Sequence, residues 1–288
     1  MSIQQDCMIV NLQVGLWLGY KLDKGKSQQV TADAGASNDA ARVNKHIIPK
    51  ESLKAITAAA STVRNHFYDR TLPWKDNGDR LLTRKLYTTF MEAHAKLAND
   101  FMTEVDQFVY YGYPEARAKA EFRMGSLWRE DDYPEVNVVR KKFYINLDID
   151  AVTLPTMLKG VIEDPEALKA AQTTAETLMQ ERTKRAVGTL WSQLNDTLTH
   201  FANKMGSDEI FRNTTVKNLE DLAALLPDLN FTDDPDLAKI TAEVQAKLVG
   251  YDPNLLRLDR TVRNEAATEA KRILDNMAGF MSAFSGDE

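Results

Sequence analysis

From Leu168 to Met205, apolar residues recur at spacings of three and four: Leu168, Ala171, Ala175, Leu178, Ala186, Leu190, Leu194, Leu198, Phe201 and Met205. Pro165 is placed to open this segment. Some 40 residues at the helical rise span roughly 60 Å, and one apolar stripe along that length requires a partner. Val262, Ala266, Ile273, Met277, Phe280 and Phe284 carry a matching stripe. Together they predict a long antiparallel, coiled-coil-like helical pair in the C-terminal half. Arg182 stands where the stripe asks for Leu; a bent helix or a polar interhelical contact would explain it. Shorter helices are expected at 215–226 and 235–249, on either side of an acidic loop at 227–235.

The N-terminal region has a different period. Leu12, Val14, Leu16, Leu18, Tyr20 and Leu22 occupy alternate positions, which predicts a half-buried strand with Trp17 on its opposite, exposed face. A turn at 23–26 then leads to a returning strand at 27–32. Phe143, Ile145, Leu147 and Ile149 alternate in the same way and predict a second strand that pairs with the first. Elsewhere the pattern is helical. Residues 50–68 form one helix, and a long one runs from an Asp79 N-cap to about Tyr111. Short helices follow at 114–124 and 134–142. His94 and His200 lie beside apolar stripes, as core-edge histidines would. The expected fold class is mainly α with a small antiparallel β-sheet (α+β). A composition shift at 153–164 divides the chain into residues 1–152 and 153–288.

With 288 residues, 43% of them apolar and 27% charged, the chain is long enough for one large domain or two modest ones. One cysteine, Cys7, excludes an internal disulfide and any cysteine-built metal site. The four histidines are scattered. No phosphate-binding glycine loop, HExxH, CxxC or GxSxG pattern is present, so nothing points to nucleophilic or zinc catalysis, and no cofactor is expected. The N-terminus lacks a signal-peptide pattern and no apolar run has membrane-spanning length; a soluble cytoplasmic protein without membrane contact is expected.

Net charge is −6, yet residues 20–85 hold 13 Lys and Arg against 7 Asp and Glu. Within this basic region, Arg64–Lys85 interleaves cations with rings. Basic side chains track phosphates and aromatic faces stack on unpaired bases, the pairing that sequence-tolerant single-strand binding needs. The residues expected to form such a surface are Trp17, Lys21, Lys24, Lys26, Arg64, Arg70, Trp74, Lys75, Arg80, Arg84 and Lys85. The competing reading is a structural loop in which Leu72 and Trp74 staple two helices and the arginines pair with Asp69, Asp76 and Asp79. Asn146, Asp148 and Asp150 project from one strand face, where Asp148 and Asp150 could hold Mg²⁺. Equally, they are the charges that protect an exposed strand. No metal is assigned.

The run from His66 to Leu82, HFYDRTLPWKDNGDRLL, resembles the signature of an uncharacterised family found in tailed phages and proteobacterial prophages, and Asp132-Tyr133-Pro134 is similar to its second landmark. The resemblance covers roughly residues 10–150. It implies a phage context, in the host cytoplasm, among DNA-metabolism genes and MoxR-like ATPases, and supplies no catalytic residues. Two functions are therefore expected. The first is a non-enzymatic, oligomeric phage protein binding single-stranded nucleic acid. The alternative is a helical scaffold or adaptor assembling with itself or an ATPase partner. A metal-dependent nuclease acting through Asp148 and Asp150 is a third.

Overall fold

The computed structural model describes residues 3–281, with 67% of the chain helical. In chain order the elements are α1 (Ile3–Asp6), β1 (Cys7–Gly15), β2 (Tyr20–Leu22), α2 (Lys24–Asp33), β3 (Asn44–His46), α3 (Lys54–Asp69), β4 (Leu72–Pro73), β5 (Arg80–Thr83) and α4 (Tyr87–Gln107). After a π-helical turn at Phe108–Gly112 come α5 (Tyr113–Ala118), α6 (Ala120–Met124), α7 (Val136–Arg140) and β6 (Tyr144–Ala151). A 3-10 turn at Pro155–Gly160 leads to α8 (Pro165–Gly206), followed by α9 (Asn213–Leu229), α10 (Pro235–Lys247), α11 (Pro253–Leu258) and α12 (Arg260–Met281). The main sheet is antiparallel with order β4-β5-β1-β6, and β2 and β3 form a separate pair. The fold is thus α+β with a small sheet.

Two compact units share the chain: Met1–Asn11, Tyr68–Phe90 and Asp148–Glu288 in the first, Leu12–Phe67 and Met91–Leu147 in the second. Composition places a division at 152/153; the first unit begins its long final segment nearby but also takes in two earlier stretches.

In the first unit, α8 and α12 run antiparallel. Arg263 Nε donates to Met205 O at 3.1 Å, while the rings of Trp191 and Phe280 stack 5.6 Å apart, so residue numbers rise along one helix as they fall along the other. The expected helical pair is present; Phe284 lies outside the described residues. Arg182 lies against the early hairpin: its guanidinium is 5.9 Å from the Trp74 ring centroid. Helix α9 continues through Pro227 to Leu229, three residues into the expected loop. His200, expected at the core edge, is exposed. The strand pairing here runs from Cys7↔Thr83 to Val10↔Arg80, with Leu72↔Leu81 beyond it.

The second unit closes around Ile48, Val63, Phe101, Val105, Tyr113 and Phe143. Its strand does not run unbroken from 12 to 22. β1 stops at Gly15 and the chain turns at Gly19, whose φ of +61° suits only glycine and whose carbonyl accepts Ile48 N–H. A Cβ there would sit 2.8 Å from the Ile48 Cβ. Gly19→Ala is expected to lower stability by about 2 kcal/mol, combining the left-handed backbone with overpacking; urea unfolding measures it. Residues 27–32 are helical, not a strand, because Asp23 caps α2 by accepting Lys26 N–H at 2.9 Å. The partner of β2 is instead β3, with Tyr20 opposite His46.

Candidate functional site

The densest stretch of the sequence, Arg64–Lys85, folds mostly into a tight hairpin in the first unit. Leu72 pairs with Leu81, and the carbonyl of Asp79 accepts the N–H groups of both Trp74 and Lys75. Asp79 is therefore a turn residue and not a helix cap. Its carboxylate accepts from Lys75 Nζ at 2.9 Å and Asn11 Nδ2 at 3.0 Å, and the Lys75 contact leads in holding it below the ordinary carboxylate range. Gly78, at φ +93°, lets the loop close. Helix α4 starts only at Tyr87 because Arg80–Thr83 is committed to the ladder.

This hairpin engages Trp74, Lys75 and Arg80, three of the residues expected on a nucleic-acid surface. Trp74 is only 2% exposed, so neither of its faces is open to a base. Arg80 donates to Thr71 Oγ1 at 2.7 Å and to Thr71 O at 2.5 Å, and its guanidinium lies 5.0 Å from the Tyr68 ring centroid. Lys75 pairs with Asp79. Arg84 and Lys85 are exposed; the first lies 3.8 Å from Asp6 Oδ1 and the second donates to Pro227 O at 3.3 Å. Arg70 lines a cleft of about 740 Å³ with Asp69, Asp196, Lys217 and Asp221.

The remaining predicted residues belong to the second unit. Trp17 is half-buried, not exposed: it meets Tyr113 edge-on at 5.6 Å and Phe108 at 6.5 Å. The break at Gly15–Gly19 turns it inward, which a continuous period of two does not anticipate. Lys21 pairs with Asp132 Oδ1 at 2.8 Å, Arg64 Nη2 donates to Val14 O at 3.4 Å and Lys26 Nζ to Gln29 Oε1 at 2.9 Å. Lys24 is exposed. Corrected in this way, the two indoles expected to stack on bases are packing residues.

The second landmark of the sequence is structural as well. Asp132 Oδ2 lies 2.5 Å from Lys45 Nζ, with both side chains buried, and Lys45 also donates to Leu127 O at 3.1 Å. Burial works to raise the Asp132 pKa, but hydrogen bonds and charge from Lys21 and Lys45 outweigh it and hold the carboxyl low. Tyr133 Oη donates to Ile47 O at 3.2 Å, and Pro134 O accepts from Tyr113 Oη at 2.5 Å. Three consecutive residues thus lock α5, β3 and the turn before α7.

Among the described residues no group of three or more His, Cys, Asp or Glu is arranged to hold a metal ion. Asp148 and Asp150 are exposed on β6, an edge strand, where charge deters pairing with another sheet. Burial, helped by Asp6, pushes the Cys7 thiol up to about 12, so it is protonated at neutral pH. No helix among the described residues is long and apolar enough to cross a membrane.

Two features escape the periodicity. From 156 to 185 no residue is buried, although the stretch contains Met157, Val161 and Leu178, which are 50%, 79% and 42% exposed. The stripe begins at Leu168, but burial on α8 begins only at Ala186. In the second unit the π-helical turn buries Phe108 and Val109 and turns Tyr110 and Tyr111 outward. Neither could be read from a pattern that assigns every apolar residue to a core. No protein-family model, curated protein or solved structure matches the chain.

Proposed function

We propose that the chain is a helical scaffold or adaptor that assembles with a second copy of itself through residues 156–185. The observation that carries this reading is the absence of any buried residue over that stretch, which runs from the turn before α8 into its first half, while the later part of α8 is well buried. An isolated helical segment gains little from propensity alone, and exposed Val161, Met157 and Leu178 favour coverage.

Charge supports a second copy as the occupant. The stretch contains five acidic and five basic side chains, so two copies meet without net repulsion. The acidic groups Glu163, Asp164 and Glu166 lie at one end and Lys184 at the other, beside Arg182 and Arg185, which already contact Trp74 and Asp76. A two-fold antiparallel arrangement places each acidic end by a basic one.

Light scattering tests this directly. A dimer is expected at about 10 µM, the range of a modest interface. Val161→Asp with Leu178→Asp should give a monomer of unchanged unfolding temperature, since neither side chain is buried. A wild-type chain that stays monomeric at about 100 µM would overturn the reading.

A further inference from the structure

We propose that the second unit carries a binding surface for single-stranded nucleic acid formed by Tyr110 and Tyr111 with Lys141 and Lys142. This inference is independent of the assembly reading and uses none of the residues that the basic N-terminal stretch suggests.

The π-helical turn is the origin of the site. An α-helix continuing from α4 would carry successive side chains around its axis at 100° intervals; the wider turn at Phe108–Gly112 changes that spacing just where the helix meets its core. Phe108 and Val109 stay buried, anchoring the turn against Tyr113 and Phe143, whose rings lie 6.1 Å from Phe108. Tyr110 and Tyr111, consecutive in the turn, are 56% and 72% exposed. Water-exposed neighbouring rings on a rigid turn are what successive bases need for stacking.

The turn that follows α7 supplies the charge. Helix α7 packs against the π-helical turn: Arg140 Nε donates to Asp106 Oδ1 at 2.6 Å, and Phe143 contacts Phe108 from the other side of Lys141 and Lys142. Both ends of the short basic run are therefore fixed beside the turn, with Lys141 and Lys142 exposed between them. Asp106 is already matched by Arg140, Glu115 by Lys119 at 2.6 Å and Glu135 by Arg117 at 3.4 Å, which removes much of the local opposition to a phosphate. A strand of two or three nucleotides would stack its bases on the tyrosines and place phosphates at the lysines. A duplex, whose bases are already stacked, has no use for the rings.

Fluorescence anisotropy with a labelled oligothymidylate of about 12 nucleotides tests the proposal on the full chain. Saturable binding is expected at about 50 mM salt, falling steeply as salt rises. Tyr110→Ala with Tyr111→Ala should weaken it about tenfold or more, and the Phe pair should retain it, because the ring stacks and not the hydroxyl. Lys141→Ala with Lys142→Ala should flatten the log–log salt slope by about 1.4, at about 0.7 per phosphate contact. Absence of binding at low salt overturns the proposal. Equal affinity for a duplex of the same length, or unchanged affinity in the Ala pair, reduces the surface to charge alone and overturns it too. Because all four side chains are exposed, an unchanged unfolding curve for each variant confirms that affinity alone is being read.

Discussion

Trp74→Ala is expected to destabilise the protein by about 3–5 kcal/mol, the cost of removing a large aromatic from a site that cannot collapse around the gap. Trp74 is buried beside β5 and beneath Arg182, with its backbone N–H held by the Asp79 carbonyl. An exposed stacking residue would behave in the opposite way, since its removal leaves stability nearly unchanged and costs only ligand affinity. Thermal and urea unfolding separate the two roles: a shift of several degrees or more identifies a core residue, whereas a change within about 0.5 kcal/mol would return Trp74 to the surface. Trp74→Phe should recover part of the loss by refilling the cavity.

The second large effect is expected at the buried ion pair. Asp132→Asn leaves Lys45 charged and buried with only the more distant Asp23 carboxylate, at 3.6 Å, to balance it, a change of about 3 kcal/mol. Replacing both partners by Lys45→Met and Asp132→Leu should be much milder, because no uncompensated charge remains. The pH dependence has a definite sign. Asp132 has a folded pKa below its unfolded value, so its stabilisation is fully present above the unfolded value of about 3.9 and is lost as pH falls through the folded one. Wild type should therefore lose stability below about pH 4 more steeply than Asp132→Asn. Parallel acid limbs in the two proteins would show that the pair does not govern this titration.

Most helices, and the strand at 144–151, are legible from spacing alone because each buries a single face. Leu190, Leu194, Leu198 and Phe201 mark the buried side of α8 as directly as any contact does. The errors are equally physical. Alternation at 12–22 continues across Gly19, but a positive φ there ends the strand, and periodicity contains no information on backbone sign. Leu82 and Leu86 fit a helical stripe while belonging to a strand and to the turn before α4, since three or four residues satisfy both periods by chance. Around Trp74, residue types alone cannot distinguish an aromatic and basic surface from a compact hairpin; the Asp79 carbonyl, which receives two backbone donors, makes the difference. The exposed tyrosines depend on one π-helical turn, for which the sequence offers no periodic mark.

The discontinuous makeup of the first unit bears on how the chain folds during synthesis. Ile9 and Val10, then Leu81 and Leu82, leave the ribosome long before the helices that complete their unit. The intervening residues 12–67 and 91–147 can close around their own core in the meantime. The early strands must therefore wait, half-satisfied, until the helices after residue 148 have emerged. Emergence of α8 and α12, which pack against each other, is the step that lets this unit complete its core.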